Sequence, residues 1–308
     1  MSRRAAMSAA SAARGLFKAP LGAAGSALPF GARGNAGQLN IVKQRMKSVR
    51  NVEKITKAMK MVAASKLRQA ETKMALSRGI WMPFYRLFGN PVDAEAENVL
   101  LVPFTSDKGL CGGVNSTIVK YSRALMELQS ESKSSMVVIG EKGKAQLERK
   151  EGDKINSFIG DMAKVTITFP QVSMIADKVL EEGKFDKTHV LFNHFKSIIS
   201  NKPTIATVGS PELIAKEKQE ELNLYEFEEG FEENMQDLVE LQLATTMWNA
   251  ALENSTSENG ARMNAMDSSS KNASEMLEKL TLIFNRGRQA SITTELIEII
   301  SGATALEG

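Results

Sequence analysis

The chain has 308 residues, with 39 Lys or Arg against 36 Asp or Glu and a net charge of +3. It is long enough to bury a sizeable core, and length alone would allow about two domains. Its 43% apolar content, with only 6% aromatics and 16 methionines, fits Ala-, Leu- and Met-rich helix packing better than an all-β core. Cys111 is the sole cysteine, which excludes an intrachain disulfide, a four-cysteine zinc site and control by an internal dithiol.

From Met1 through Val52 there is no Asp or Glu, while Arg3, Arg4, Arg14, Lys18 and Arg33 are scattered among Ala, Ser and Gly. That is the composition of an organellar transit peptide, and residues 1–37 are expected to be removed. A secretory signal would need a longer apolar run than Ala27–Phe30, which contains Pro29. The next segment, 38–90, reads as a long helix. Val42, Met46, Val49, Val52, Ile55, Met59 and Val62 follow one another at steps of three or four, an apolar stripe suited to one partner helix. Asn40 to Arg78 carries eleven basic residues against Glu53 and Glu71, a net of +9. No recognition module or interleaved aromatics accompany that charge, so an acidic partner, internal or external, explains it better than nucleic acid.

Residues 91–232 have a different character. Asn98–Phe104, Ser135–Gly140, Ile155–Ile159, His189–Phe195 and Pro203–Val208 read as strands, with helical spacing over Val114–Gln129, Glu141–Lys150 and Gln171–Glu182. Strands alternating with helices predict an α/β domain of Rossmann-like kind, its mainly parallel sheet covered on both faces. The loop Gly109-Leu-Cys-Gly-Gly113 lacks both the Gly-Lys-Ser/Thr ending of a P-loop and the Gly-x-Gly-x-x-Gly spacing, and reads as a structural turn. Ser106 and Asp107 are a turn signature with no base nearby. His189 and His194, five apart in a strand, project from opposite faces and cannot share a metal. Nothing assembles an acid, a base and a nucleophile, and no metal or cofactor is expected. Lys216 to Glu233 is densely acidic with Leu222, Leu224, Tyr225, Phe227 and Phe231 interleaved, a surface segment.

The last 97 residues contain no proline, and 233–308 read as one very long helix. Ala273, Leu277, Leu280 and Phe284 form a seam whose continuation is Gly287, Ser291, Thr294 and Glu298, so the apolar stripe is expected to stop near Phe284. Beyond it Ile292, Leu296, Ile297, Ile299, Ile300 and Leu306 spread around the helix and call for burial on several sides, in a socket of other chains or on the chain's own domain. From Phe231 on, twelve acidic residues face five basic ones, a net of −7, opposite in sign to the first helix. A long antiparallel helix pair carrying a globular domain transmits position and offers little concavity. A stand-alone nucleotide-binding protein or enzyme with a coiled-coil arm is the alternative. No stretch approaches the roughly 18 apolar residues of a membrane span.

Ile55-Thr-Lys-Ala-Met-Lys-Met-Val-Ala-Ala-Ser-Lys66, Ser106-Asp-Lys-Gly-Leu-Cys-Gly-Gly-Val-Asn-Ser116, Ala261-Arg-Met-Asn-Ala-Met266 and Asn285-Arg-Gly-Arg-Gln-Ala-Ser-Ile-Thr-Thr-Glu-Leu-Ile-Glu-Ile-Ile-Ser-Gly-Ala303 closely resemble the gamma subunit of rotary ATP synthases, over about Leu39 to Leu306. With the acid-free leader, the resemblance points to the mitochondrial form. It implies a central stalk without bond chemistry of its own, whose paired helices turn inside a ring of alpha and beta subunits while the α/β domain stands on the membrane c-ring. It also implies delta and epsilon stalk subunits as partners and a peripheral place on the matrix side of the inner membrane. On the same grounds Arg288 and Gln289 are expected to meet acidic loops of a beta subunit, Met59 and Lys60 to face other acidic beta loops, and Ile292, Leu296, Ile299 and Ile300 to sit in the alpha/beta socket. Tyr225, Glu226, Phe227 and Glu228 fall near the family's rotor-ring contact. Gly287 stands where a better helix former is expected, and Glu258-Asn-Gly260 reads as a point of local compliance.

Overall fold

A computed structural model describes residues 35–89, 96–129, 132–162, 166–218 and 230–307. The leader therefore lies almost wholly outside the described residues, as do Tyr225, Glu226, Phe227 and Glu228. The chain divides into two compact units: Val49–Met276, and the described part of Met1–Ser48 together with Leu277–Gly308.

The Val49–Met276 unit is built on a sheet of five strands: β1 (Asn98–Pro103), β2 (Lys133–Ile139), β3 (Ile155–Ile159), β4 (Lys187–Phe195) and β5 (Asn201–Gly209). Their order is β3-β2-β1-β4-β5. All neighbours are parallel except β4 and β5, which form a hairpin paired from Lys187↔Gly209 to Phe195↔Asn201. Parallel neighbours need crossovers, and α2 (Val114–Leu128), α3 (Glu141–Glu151) and α4 (Phe169–Glu181) supply them. α4 begins two residues earlier than the apolar spacing suggests. Pro170 is tolerated in a first turn, and Thr168 and Gln171 close a capping box. A short helix, α5 (Pro211–Glu217), follows β5.

Alternation along the strands divides the apolar side chains between two cores. Val99, Leu101, Met136, Val138 and Leu191 meet Ile118 and Val119 of α2 and Leu147 of α3. Leu100, Val102, Val137, Ile139, Val190 and Phe192 meet Val172 and Ala176 of α4 on the other face. That second core also takes Leu67, Met74 and Phe88 from α1 (Asn35–Phe88), and Met247, Ala250 and Ala251 from α6 (Phe231–Glu307).

The 54 residues of α1 and 77 of α6 correspond to about 80 and 115 Å of helix at about 1.5 Å per residue. Within the Val49–Met276 unit the two run antiparallel, for Lys60 meets Asp267 while Ser77 meets Asn249. α1 continues through Pro83, a position that forfeits one helical hydrogen bond. Trp81 and Tyr85 pack ring to ring around it at 4.9 Å, and Phe88 is buried.

The seam of α1 differs from the stripe its apolar residues trace. Val49, Glu53, Thr56, Lys60, Ala63, Leu67, Ala70, Met74 and Ser77, at strictly alternating steps of four and three, are buried or half-buried, flanked by half-buried Met59, Ala64, Glu71 and Arg78. Val52, Ile55 and Val62 are 49%, 58% and 58% exposed. Three successive steps of three drift around the helix, whereas a 3.5-residue period holds one line against a partner. Because Thr56, Lys60 and Ser77 occupy seam positions, hydrophobicity alone selects the neighbouring line.

In the other unit Leu39, Val42 and Met46 of α1 and Leu277, Leu280 and Phe284 of α6 are half-buried. The α6 seam does not end at Phe284. Gly287 is buried, and Ser291 and Thr294 are half-buried beyond it. A Cβ on Gly287 would stand 2.9 Å from Leu39 Cδ2. The small residue thus makes room for leucine from the facing helix, and the helix runs on unbroken. Gly260, in the other unit, is likewise a place of close contact: a Cβ there would stand 3.2 Å from the Phe195 ring.

Candidate functional site

In open α/β sheets ligands bind outside the carboxyl ends of the strands, where the strand order reverses. Here that point lies between β1 and β4, and a helix stands in it. Asn193 near the end of β4 donates from Nδ2 to Asn254 Oδ1 at 3.0 Å, and Ser257 Oγ donates to Asn193 O at 2.9 Å. The Phe195 amide donates to Glu253 Oε2 at 2.8 Å. Arg262 pairs with Glu258 and also reaches Gly109 O at 3.4 Å. Asn254, Ser257, Glu253, Glu258 and Arg262 all belong to α6. The cavity left beside them, lined by Phe104, Thr105, Gly140, Asn254 and Glu258 among others, measures about 20 Å³, room for about one water. A nucleotide has no place there.

The loop after β1 is held by its own chain. Asn115, in the first turn of α2, accepts from the Ser106 amide at 3.0 Å and donates to Ser106 Oγ at 2.7 Å and Cys111 Sγ at 3.3 Å. Ser106 Oγ donates to Lys108 O at 2.7 Å, and Asp107 Oδ1 accepts from the Glu141 amide at 3.2 Å. Leu110 and Gly112 take positive φ, 64° and 62°, which closes the turn. The glycine loop is therefore a structural turn. Cys111 is buried, and burial pushes its thiol pKa up, the opposite of an activated nucleophile. β1 and β2 approach closely at Gly140, φ 97°, where a Cβ would lie 2.5 Å from Thr105 O.

The two histidines do face opposite sides. His189 is fully buried between Gln129 Nε2 at 2.8 Å and Thr207 Oγ1 at 2.9 Å. Burial, then the charge of Lys187, lowers its pKa to about 4. His194 Nδ1 lies 3.3 Å from Glu253 Oε1. Burial raises the pKa of Glu258, and Arg262 works against that rise.

Arg288 and Gln289 lie on the exposed surface of α6. Ile292, Leu296, Ile299 and Ile300 are 47–68% exposed. Met59 is half-buried, and Lys60 Nζ sits 2.6 Å from Asp267 Oδ1, an ion pair between the helices. Lys60 thus has an internal partner. Met59 and Lys60 belong to one unit, Arg288 and Gln289 to the other. Sequence reasoning passed over Arg78, Asn193, Glu253 and Asn254. The available signal was the run of Asn249, Glu253 and Thr256 at seam spacing, which continues the line of a helix pair in polar residues.

A family profile described as ATP synthase matches residues 38–306. The mitochondrial ATP synthase subunit gamma of Ipomoea batatas is 50% identical over 277 residues, 87% of this chain and 85% of the relative. The chain belongs to the ATP synthase gamma-subunit family. The Arabidopsis thaliana mitochondrial subunit gamma is also 50% identical, over 276 residues, with the same shares covered. Among solved structures, a chain from the central stalk and c-ring of Tetrahymena thermophila mitochondrial ATP synthase matches with TM-score 0.59 and 32% identity. It covers 70% of this gamma-family chain and 98% of its own. A chain from the rotor of Euglena gracilis mitochondrial ATP synthase shares the fold, with TM-score 0.73 at 18% identity over 83% of this chain and 99% of its own.

Proposed function

We propose that this chain is the central-stalk shaft of a mitochondrial proton-translocating ATP synthase, coupling rotation of the membrane ring to conformational cycling of the beta subunits without bond chemistry of its own. The observation that carries the reading is the filled crevice: where an α/β domain would hold a ligand, this one holds its own long helix. The same helix ends in Ile292–Leu306 with apolar side chains exposed, as a segment seated in other chains requires.

Its partners are the alpha and beta subunits, the delta and epsilon stalk subunits and the c-ring. It binds no nucleic acid. Among the described residues no helix is long and apolar enough to cross a membrane, in keeping with peripheral attachment on the matrix side of the inner membrane. Residues 1–37 act as a transit peptide, 91–232 as the foot, and 38–90 with 233–308 as the shaft. The guanidinium of Arg288 and the amide of Gln289 suit exchangeable bonds to carboxylates of a beta subunit. Lys60 is held by Asp267 and reaches an acidic beta loop only by sharing or leaving that partner.

Truncation after Phe284 tests the reading. Complexes lacking the tip should assemble and lose ATP-driven torque, and fully coupled rotation without it would contradict the role given to the tip. Tight nucleotide binding by the purified chain would contradict the filled crevice.

A further inference from the structure

Three elements of the Val49–Met276 unit converge on the backbone of one residue. Arg78 of α1 donates from Nη2 to Phe195 O at 3.0 Å and from Nε to Glu253 Oε1. Glu253 of α6, fully buried, accepts the Phe195 amide on its other oxygen at 2.8 Å. Both polar groups of Phe195, the last residue of β4, are thus claimed by an ion pair between the two helices. Nearby, Ser77 donates to Asn249 Oδ1 at 3.1 Å and Asn193 to Asn254 at 3.0 Å.

The hydrophobic effect itself has no direction, and apolar interdigitation holds a helix angle only within about 15–20°. Hydrogen bonds to charged groups are directional and short. Burying a carboxylate is costly, and a well-packed apolar replacement is often at least as stable. Stability therefore does not account for the arrangement, whereas angular register does.

We propose that Arg78, Glu253 and the backbone N–H and C=O of Phe195 form a rotational key that fixes the angle of the helix pair on the sheet, so that torque passes between them without slip. Arg78 and Glu253 are positioning residues. The proposal rests on the rotor-shaft reading and names the joint that reading requires.

The test uses the assembled, membrane-embedded complex with the catalytic head immobilised and a probe attached through Asp177→Cys on the exposed face of α4. Glu253→Gln and Arg78→Lys are compared with Lys57→Gln, which removes an ion pair between Lys57 and Glu53 inside α1. The key predicts a several-fold wider angular spread of the probe in Glu253→Gln and fewer protons pumped per ATP, with hydrolysis by the head little changed. Arg78→Lys, which keeps the charge but offers one nitrogen in place of the two that reach Glu253 and Phe195, should fall between Glu253→Gln and the control. A purely structural role would lower assembly yield and thermal stability yet leave the spread unchanged in complexes that do assemble, and that result overturns the proposal. Should Glu253→Gln fail to assemble, Arg78→Lys decides by the same readouts. A wild-type probe that does not turn would instead sink the shaft reading.

Discussion

Two stretches of α6 invert the usual rule of burial. Between Gln242 and Gly260 the helix buries Thr245, Asn249, Glu253, Asn254, Ser257 and Glu258. Between Ile292 and Leu306 it exposes Ile292, Leu296, Ile297, Ile299, Ile300 and Leu306 by 47–90%. Apart from Gln242 Oε1, the first stretch is satisfied within the chain, by β4, α1 and the turns of the helix itself. The second has apolar surface left exposed among the described residues of its unit. A polar residue inside and an apolar residue outside both signal recognition; they differ in whether the recognised surface is the chain's own.

That contrast can be broken at its buried end first. Glu253→Ala should cost the purified full-length chain about 3–5 kcal/mol in denaturant unfolding, because it strands Arg78 and the Phe195 amide. A loss below about 1 kcal/mol would mean that water satisfies those groups. Gly140→Ala should cost roughly 3 kcal/mol by the same measurement, since it combines positive φ with contact on the Thr105 backbone.

The buried His189 gives a pH signature. With its folded pKa lowered to about 4 from 6.5, the unfolded chain binds the extra proton between those values. Stability is therefore fully present above about pH 6.5 and lost as pH falls towards 4, by about 3 kcal/mol at most. The raised Glu258 acts in the opposite sense, so the decisive comparison is with His189→Gln. That variant should lose the His189 slope and keep the rest; parallel stability profiles would refute the assignment.

Smaller effects are expected in the other unit. Gly287→Ala gains about 1 kcal/mol of helix propensity and displaces Leu39 Cδ2, so melting should shift little, whereas Gly287→Leu should destabilise clearly. Least of all, Ile300→Ser should change the stability of the free chain by no more than about 0.5 kcal/mol. Its effect should appear in the assembled complex, as weaker retention of the chain by the catalytic head.

Much of this architecture was legible in the residues. Short apolar runs separated by helical spacing gave all five strands, and period-two alternation placed His189 and His194 on opposite faces. The lack of a phosphate-loop signature already made the Gly109–Gly113 segment a turn. The seam of α1 was misread because Thr56, Lys60 and Ser77 hold positions that an apolar search skips. Gly260 and Gly287 looked like weak points, since their reasons, Phe195 and Leu39, lie far away in sequence. The joint at Glu253 was illegible for a similar cause: a glutamate in a helix reads as surface until the strand end and the arginine that satisfy it are placed beside it.

The most direct measurement is the rotation of a probe fixed to this chain in the intact complex, with the catalytic head immobilised and ATP supplied. Sustained turning in one direction, in proportion to ATP hydrolysed, is the predicted result. A probe that stays still while the head hydrolyses ATP at its full rate would contradict the shaft.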